Sequence, residues 1–376
     1  MGCLCLPVQA GAQTAAPSVS AKSAALIDTM TGSVLYEKNA YQKLPMASTT
    51  KIMTAICALE AGNLDESFEI HPAAVGVEGS SIYLAHGETM TMRDLVYGLM
   101  LNSGNDAAVA IAMRVSGSIE GFAALMNDTA ARIGVKDTHF QNPNGLDDPQ
   151  HYTTAYDLAQ IARYGMRVPE FAEIVSTKSK RIPWQNKENG RLLSNHNKML
   201  SLYQGADGVK TGFTKKDGRC LVSSATRDGL QCIAVTLNAP NDWNDHTQML
   251  DYAFDNYALC PLVRAGEYLC TVAVRHGQQT EVSVVAQQGL AVPVKIGCTP
   301  DVKLDIQVPD YLEAPVGYEQ VVGQVEVFLD DKPIGSVPAI TAGCVAREEP
   351  KRISTGLWKV VREWLQLCAS GRYFSK

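Results

Sequence analysis

The stretch Ala47-Ser48-Thr49-Thr50-Lys51-Ile52-Met53-Thr54-Ala55-Ile56-Cys57-Ala58-Leu59-Glu60-Ala61-Gly62 carries the clearest signal in this 376-residue chain. Its apolar residues recur at helical spacing, and Gly62 suits the end of a helix. The pattern predicts a helix with Ser48 in its first turn. Residues three apart share a helix face, so the Lys51 amine can reach the Ser48 hydroxyl. The stretch therefore predicts a serine nucleophile with a lysine as its base.

A lysine acts as a base only when its amine is neutral. Burial and a neighbouring cation must therefore lower the pKa of Lys51 from about 10.4 toward about 7 to 8. Lys210 is the candidate for that cation. An S-x-x-K pattern also arises by chance, and by itself it equally describes a helix cap followed by a solvated charge. Two further motifs favour the catalytic interpretation.

The second motif, Ser103-Gly104-Asn105, lies between two segments that are rich in apolar residues at helical spacing, Thr91 to Leu101 and Asp106 to Val115. This arrangement predicts a tight loop between two helices. Taken alone, a helix cap with a turn glycine would explain the same residues.

The third motif, Lys210-Thr211-Gly212-Phe213-Thr214, precedes two β-rich runs, Cys220 to Thr226 and Leu230 to Leu237, which are joined by Asp228-Gly229. An Asp-Gly pair between such runs is a strong hairpin signal. The motif is therefore predicted to form a strand beside an antiparallel meander. A strand edge beside a nucleophile can bind a substrate backbone as a further strand. The alternative is an exposed polar strand with no function.

The three motifs, in this order, resemble those of the serine D-alanyl-D-alanine carboxypeptidases, which are low-molecular-mass penicillin-binding proteins related more distantly to class A β-lactamases. The resemblance extends to Ala24–Asp28, Gly32–Lys38, Asn142-Pro143-Asn144-Gly145-Leu146 and His151–Leu158. It covers about residues 20 to 260 closely and the tail in outline. It implies an α+β fold of the DD-peptidase, transpeptidase-like type, in which helices flank an antiparallel sheet.

By this resemblance, Ser48 attacks the carbonyl of the penultimate D-alanine in a peptidoglycan stem peptide. Terminal D-alanine leaves, and water hydrolyses the acyl-enzyme. Lys51 takes the serine proton, Ser103 relays a proton to the leaving amine, and Asn105 holds the substrate amide. Lys210 supplies positive potential. β-Lactam antibiotics would act as covalent inhibitors of the same serine.

The resemblance also implies a substrate-binding strand. Thr211 and Thr214 would bind the terminal carboxylate, while Gly212 allows a close approach. The backbone N–H groups of Ser48 and Phe213 would form the oxyanion hole, where the tetrahedral state develops negative charge.

Two features depart from the family pattern. Phe213 occupies a position that is histidine in some relatives. An arginine that aids carboxylate binding in some members has no clear counterpart in Asn238–His246. Anchoring of the substrate carboxylate is therefore the part of the site that the sequence explains least.

A β-lactamase shares the nucleophile but needs fast deacylation, usually through a water held by glutamate. No E-x-x-L-N pattern lies between Ser103 and Lys210, and the loop Asp137–Tyr152 contains no glutamate. Penicillin is therefore expected to acylate Ser48 and remain bound. His151 in this loop is interpreted as a residue at the entry of a helix rather than as a catalytic base.

A zinc carboxypeptidase would cleave the same bond. The seven histidines do not pair at H-x-x-H or H-x-x-x-H spacing, and the ten cysteines contain no C-x-x-C. No metal is predicted. No P-loop, dinucleotide fingerprint or G-x-S-x-G elbow is present, so no cofactor is predicted either. A net charge of -6 argues against nucleic acid as a partner.

The chain is predicted to contain four segments. Residues 1–20 resemble the remnant of a signal peptide, 21–260 form the catalytic domain, 261–348 form a small all-β domain, and 349–376 form an amphipathic helix. The runs that predict strands in the all-β domain are Tyr268–Val274, Glu281–Ala286, Val292–Ile296, Val302–Val308 and Gln324–Leu329.

The terminal helix is predicted to lie on a membrane surface, because its apolar residues share one face and basic residues flank it. These apolar residues are Leu357, Val360, Val361, Trp364, Leu365 and Cys368. A helix packed on its own protein is the alternative. The membrane interpretation predicts an extracytoplasmic enzyme attached peripherally to the outer face of the bacterial cytoplasmic membrane. A penicillin-binding sensor that does not turn over, and a transpeptidase, remain alternative functions.

Overall fold

The structure is a computed structural model that describes residues 14–185, 187–349 and 355–370, and it divides into two units. One unit runs to Cys260 and takes in Val292–Thr299, and the other comprises Pro261–Ala291 and the residues from Pro300 onward. Most of the predicted signal-peptide remnant lies outside the described residues.

The first unit is built from short strands and helices. Its strands are β1 (Ser23–Asp28), β2 (Val34–Lys38), β3 (Ser67–Glu69), β4 (Thr89–Thr91), β5 (Ser179–Ile182), β6 (Arg191–Ser194), β7 (Ala206–Thr214), β8 (Gly218–Arg227) and β9 (Leu230–Leu237). Its helices are α1 (Lys51–Glu60), α2 (Met92–Leu101), α3 (Asn105–Ser116), α4 (Ile119–Ile133), α5 (Ala155–Met166), α6 (Pro169–Ser176), α7 (Met199–Leu202) and α8 (Asp242–Asn256).

A five-stranded antiparallel sheet, in the order β2-β1-β9-β8-β7, organises this unit. Successive residues of a strand face opposite sides. Ile27 and Val235 accordingly pack into one apolar core with α1 to α6, whereas Leu26 and Ala234 pack into a second core with α8. Helices therefore cover both faces of the sheet, which confirms the predicted α+β architecture.

The predicted hairpin between β8 and β9 is present. Asp228 and Gly229 have φ angles of +49° and +80°, as a type I′ turn requires at both central positions. The predicted helix after Ser48 is also present. It starts as a 3-10 turn, Ala47–Thr50, continues as α1, and is followed by Gly62 at φ +76°.

The chain between α8 and the C-terminal helix is predominantly β-structure. The strands that follow α8 are β10 (Tyr257–Val263), β11 (Tyr268–Arg275), β12 (Glu281–Ala286), β13 (Leu290–Lys295), β14 (Val302–Gln307), β15 (Tyr311–Glu313), β16 (Val321–Leu329) and β17 (Lys332–Thr341). β10 pairs with β13, and the other six form one sheet in the order β14-β16-β17-β12-β11-β15. The predicted small all-β domain is confirmed, although β10, β15 and β17 were not among the strands expected from the sequence.

Helix α9 spans Thr355–Ala369. Trp358, Val360, Trp364 and Leu365 are between 57% and 70% exposed. Where the side chains of this helix are described, they lie in solvent and not against the protein. Within the described ranges no single helix has the length and apolarity of a membrane span, and only the pair α3 and α4, bent by 84°, meets those criteria together.

Candidate active site

The turn before α1 places the serine and the lysine of the first motif side by side. Lys51 Nζ lies 2.9 Å from Ser48 Oγ. Lys51 is fully buried, and Ala47, just before the serine, has a φ of +48°. A non-glycine residue in this region is strained and persists only where its surroundings hold it, which is common at catalytic turns.

The Lys51 amine has two further partners. Nζ lies 2.8 Å from Asn105 Oδ1 and 2.5 Å from the carbonyl oxygen of Asn144. Asn105 Nδ2 donates to the carbonyl of Glu78 at 2.6 Å, which fixes its Oδ1 toward the lysine. Both partners can only accept, so they take two N–H groups of the amine. A neutral amine then has its lone pair free to accept the Ser48 proton.

The surroundings favour that neutral amine. Burial, and next the charge of Lys210, hold the pKa of Lys51 well below its usual value, while Asp106 opposes the shift. Burial also lowers the pKa of Lys210 to about 7. Lys210 Nζ donates to the carbonyl of Thr211 at 2.8 Å. The charge of Lys210 is thus the second of the causes that lower the pKa of Lys51.

Ser103 occupies the short connection between α2 and α3. It is 5% exposed, has a φ of +59°, and its Oγ finds no hydrogen-bond partner within the described part of the chain. A buried hydroxyl without a partner is uncommon in folded proteins and indicates a group held ready for a ligand or a proton. The second motif thus places Ser103 and Asn105 at the two ends of one tight loop.

Strand β7 lies directly against the nucleophile turn at Gly212. A Cβ added to Gly212 would lie 3.0 Å from Thr49 N, 3.1 Å from Met46 O and 3.1 Å from Ser48 N. These contacts are tighter than most real Cβ contacts, so glycine suits this close approach. β7 is an edge strand of the sheet, and the side chain of Phe213 next to Gly212 is 64% exposed.

The loop Asn142–Leu146 supports the nucleophile turn from the other side. Gly145 has a φ of +83°, and a Cβ there would lie 2.0 Å from the carbonyl oxygen of Ala47. Thr54 Oγ1 donates to the carbonyl of Pro143 at 2.6 Å. This loop was part of the resemblance, but no role was predicted for Asn144, whose backbone oxygen accepts from Lys51.

His151 does not face the nucleophile. Its Nδ1 accepts the backbone N–H of Gln141 at 3.0 Å, so its Nε2 carries the proton and donates to Thr50 Oγ1 at 2.7 Å. Thr50 Oγ1 donates in turn to the carbonyl of Ala47. Burial lowers the pKa of His151 to about 4. Both ring nitrogens are engaged, and the residue ties the loop to the nucleophile turn instead of simply preceding a helix.

Thr214 lies at the turn between β7 and β8. Its hydroxyl accepts the backbone N–H of Asp217 at 2.9 Å and lies 3.4 Å from Asp147 Oδ1. Thr211, by contrast, lines the cavity beside the nucleophile. The structure thus brings Thr211, but not Thr214, to the cavity wall.

An open cavity of about 350 Å³ lies over the nucleophile. Ser48, Ser103, Thr211, Gly212 and Phe213 line it, as the sequence predicted they would meet at one site. The sequence did not predict its other lining residues, which are Ser80, His196, Lys198, Arg219, Asp242 and Trp243. The charged groups among them come from segments with no recognisable motif. Arg219 could have been identified from the register of the β7–β8 hairpin, which places it opposite Phe213.

A half-buried serine beside a buried lysine, a second serine with a free hydroxyl and an exposed strand edge around one cavity define an enzyme that transfers acyl groups through serine. Residues 10–241 match the family described as D-alanyl-D-alanine carboxypeptidase, and residues 257–347 match the C-terminal domain of penicillin-binding protein 5. The chain belongs to the D-alanyl-D-alanine carboxypeptidase family and is a low-molecular-mass penicillin-binding protein.

Characterised relatives cover nearly the whole chain. The D-alanyl-D-alanine carboxypeptidase DacF of Bacillus subtilis is 34% identical over 95% of this chain and 93% of its own length. The carboxypeptidase DacC of Escherichia coli is 33% identical over 86% of this chain and 84% of its own. The chain is therefore similar to these enzymes in both of its units.

Solved structures show the same fold. Penicillin-binding protein 5 from Haemophilus influenzae matches with a TM-score of 0.68 and 29% identity, over 89% of this chain and all of that one. A DD-transpeptidase from Streptomyces K15 matches with a TM-score of 0.60 and 34% identity, over 63% of this chain and 99% of that one. The expected fold and family are thereby confirmed.

Proposed function

We propose that this protein removes the terminal D-alanine from peptidoglycan stem peptides through an acyl-enzyme on Ser48. The observation that carries this proposal is the arrangement of Lys51, whose two N–H groups have acceptors while its third position faces the Ser48 hydroxyl at 2.9 Å. Lys51 takes the serine proton as Ser48 Oγ attacks the carbonyl of the penultimate D-alanine. The names of the relatives support the choice of bond.

The remaining groups have roles that follow from their positions. Ser103, with a free buried hydroxyl, relays the proton to the leaving amine. Asn105 positions the Lys51 amine through Oδ1, and its contact with the substrate amide is proposed from the family resemblance alone, because Glu78 already accepts from its Nδ2. Lys210 supplies positive potential and lowers the pKa of Lys51. Water then hydrolyses the ester and restores Ser48.

The substrate backbone binds along β7 as an added strand. β7 is an edge strand with unpaired backbone groups, and Gly212 lets it approach Ser48 closely. The backbone N–H groups of Ser48 and Phe213 form the oxyanion hole. Thr211 contacts the substrate carboxylate from the cavity wall, while Thr214 shapes the turn that follows.

β-Lactams acylate the same serine and leave slowly. The loop near the site offers no glutamate, and both ring nitrogens of its histidine, His151, are engaged. The carboxylate of Asp148 is half-buried and accepts the N–H of Gln150. None of these three features supplies the base that a β-lactamase uses for rapid deacylation.

The assay for this function is the release of D-alanine from diacetyl-Lys-D-Ala-D-Ala by wild type and Ser48→Ala. Release by the wild type alone is expected. A wild type that releases no D-alanine, yet forms a penicillin adduct, would replace the carboxypeptidase with a penicillin-binding sensor. Release by both proteins would refute the role of Ser48.

Transpeptidation is a second candidate, favoured by the 34% identity to the DD-transpeptidase of Streptomyces K15. An amine and water compete for one acyl-enzyme. Adding glycine or a D-amino acid to the assay distinguishes them, because a transpeptidase forms the exchanged peptide in place of the hydrolysed one.

We further propose that the protein acts outside the cytoplasm and attaches to the membrane surface through α9. The exposure of Trp364 and its apolar neighbours supports this attachment, since a helix face of this kind gains free energy when it leaves water. Lys359 and Arg362 on the same helix suit an anionic surface. The C-terminal β-rich unit, which precedes α9 in the chain, serves as a spacer or contact module.

A further inference from the structure

Arg219 is one of the unpredicted groups of the cavity, and its position on β8 places it beside the substrate-binding strand β7. It stands opposite Phe213 in the β7–β8 register, as Leu221 stands opposite Thr211. Side chains of directly paired residues lie on the same face of a sheet, and so do those of residues two apart. Arg219 therefore shares its face with both Thr211 and Phe213.

The start of α8 holds the guanidinium in place. Arg219 Nε lies 2.9 Å from Asp242 Oδ1, and Arg219 Cζ lies 5.7 Å from the centre of the Trp243 ring. The side chain of Asp242 is 4% exposed and that of Arg219 is 42% exposed. The carboxylate thus sits beneath the guanidinium, and the other side of the guanidinium faces the open cavity.

The hydrogen-bonding capacity of this guanidinium is largely unused. Its Nε–H is buried and does not point at Asp242 well enough to form a hydrogen bond, in spite of the short distance between the two charged groups. The contacts of the described residues include no hydrogen bond from its terminal nitrogens. An arginine has five N–H donors in a planar fork that matches a carboxylate. Arg219 therefore lines the cavity with free donors.

The charges of the cavity favour an anion. Arg219 and Lys198 line it as cations, Asp242 is its one carboxylate within the described lining, and Asp242 is already paired with Arg219. Lys210 lies buried behind Thr211 on β7. An anionic group that enters between Thr211 and Arg219 would meet the Thr211 hydroxyl and the Arg219 guanidinium. It would break no hydrogen bond that the terminal guanidinium nitrogens make within the described residues.

We propose that Arg219 binds the terminal carboxylate of the substrate, with Asp242 and Trp243 positioning its guanidinium. The proposal rests on the proposed function and deepens it. It supplies, from strand β8, the carboxylate-binding arginine that Asn238–His246 does not provide. The C3 carboxylate of a penicillin would use the same guanidinium.

The test compares ligands that differ only in that carboxylate. Second-order acylation of the protein by benzylpenicillin and by its methyl ester would be measured for wild type, Arg219→Gln, Arg219→Lys and the control Arg227→Gln. Arg227 lies at the other end of β8 and does not line the cavity. D-alanine release from diacetyl-Lys-D-Ala-D-Ala and from its C-terminal amide gives the parallel comparison for peptides.

Arg219→Gln is expected to slow acylation by benzylpenicillin about 10- to 100-fold, the range for hydrogen bonds to a charged group, and to leave the methyl ester within about twofold. Arg219→Lys keeps the charge but loses the planar fork, so a smaller loss is expected. Arg227→Gln should match wild type on both ligands. Equal losses on acid and ester, or no loss on either, would overturn the proposal.

The two proposals fail separately. If wild type released no D-alanine, the carboxypeptidase function would fall, while the comparison of acid with ester would still decide the role of Arg219. If Arg219→Gln did not fold, as judged by circular dichroism, the folded Arg219→Lys protein would decide it: a loss confined to the free acid supports the proposal, and acylation equal to wild type on both ligands contradicts it.

Discussion

Lys51 Nζ lies 2.9 Å from Ser48 Oγ, and its other two contacts are with oxygens that can only accept hydrogen bonds. This arrangement leaves the serine hydroxyl as the donor of that contact when the lysine is neutral. The geometry therefore describes a general base at rest, and it makes the protonation of Lys51 the quantity that controls acylation.

Acylation by penicillin is expected to follow a bell-shaped pH profile. The pKa of Lys51 is lowered, so acylation rises as the pH increases through that value and the amine becomes neutral. The pKa of Lys210 is lowered to about 7, so acylation falls as the pH increases further and this cation is lost. Stopped-flow acylation from pH 4 to 10 measures both limbs.

Lys210→Arg is the variant that assigns the alkaline limb. Arginine stays charged throughout this range, so the fall above neutral pH should disappear while the acidic limb remains. A fall that persists in Lys210→Arg would assign the alkaline limb to another group.

Asn105→Asp should shift the acidic limb of the acylation profile to higher pH. A carboxylate in place of Asn105 Oδ1, which lies 2.8 Å from Lys51 Nζ, favours the charged amine and raises its pKa by about 1 to 3 units. At a pH below the acidic limb, acylation should fall about 10- to 1,000-fold, and it should rise with pH until the loss of the Lys210 charge near pH 7 limits it. Asn105→Ala is the control, since it removes the amide without adding charge. A loss in Asn105→Asp that did not depend on pH would contradict the role of Lys51 as base.

Gly145→Ala should disrupt the nucleophile turn. The φ of Gly145 is +83°, which costs a non-glycine residue about 1 to 3 kcal/mol, and its Cβ would also lie 2.0 Å from the Ala47 carbonyl oxygen. Gly134→Ala is a matched control, because Gly134 has a φ of +94° but nothing within 4 Å of an added Cβ.

Urea unfolding and penicillin labelling distinguish the two glycine variants. Gly145→Ala should lose more unfolding free energy than Gly134→Ala and should acylate slowly even where it stays folded. Equal losses of stability, with unchanged acylation in both, would show that the loop does not support the nucleophile.

Trp364→Glu should release the protein from membranes. A charge in the apolar face of α9 opposes its insertion into the interface, so sedimentation with phosphatidylglycerol vesicles should fall at least tenfold. Gln366→Glu adds the same charge to α9 outside the apolar face predicted for it and should leave binding within about twofold. Equal sedimentation of both variants with wild type would remove α9 as the attachment site.

Local patterns in the sequence were sufficient to predict most of the fold. The helix that follows Ser48 and the Asp228-Gly229 hairpin depend on neighbouring residues, and both are present. Strand β17 escaped prediction because Pro333 and Pro338 interrupt its pattern. The structure accommodates both prolines outside the short part of β17 that pairs with β12.

Contacts between distant segments were beyond the sequence patterns. The Asn144 carbonyl reaches Lys51 across 93 positions, and a backbone oxygen leaves no trace in side-chain identity. The ion pair between Arg219 and Asp242 likewise depends on how α8 packs on the sheet. The serine, lysine and glycine motifs were predictable because each is local, whereas the groups that tune them come from tertiary packing.

The proposed reaction depends on acylation of Ser48 with Lys51 as its base. The most direct measurement is intact-mass analysis with peptide mapping after brief exposure of wild type, Ser48→Ala and Lys51→Ala to benzylpenicillin. We expect one adduct on Ser48 in wild type, none in Ser48→Ala, and very slow labelling in Lys51→Ala. An adduct on another residue, or wild-type labelling of Lys51→Ala, would contradict it.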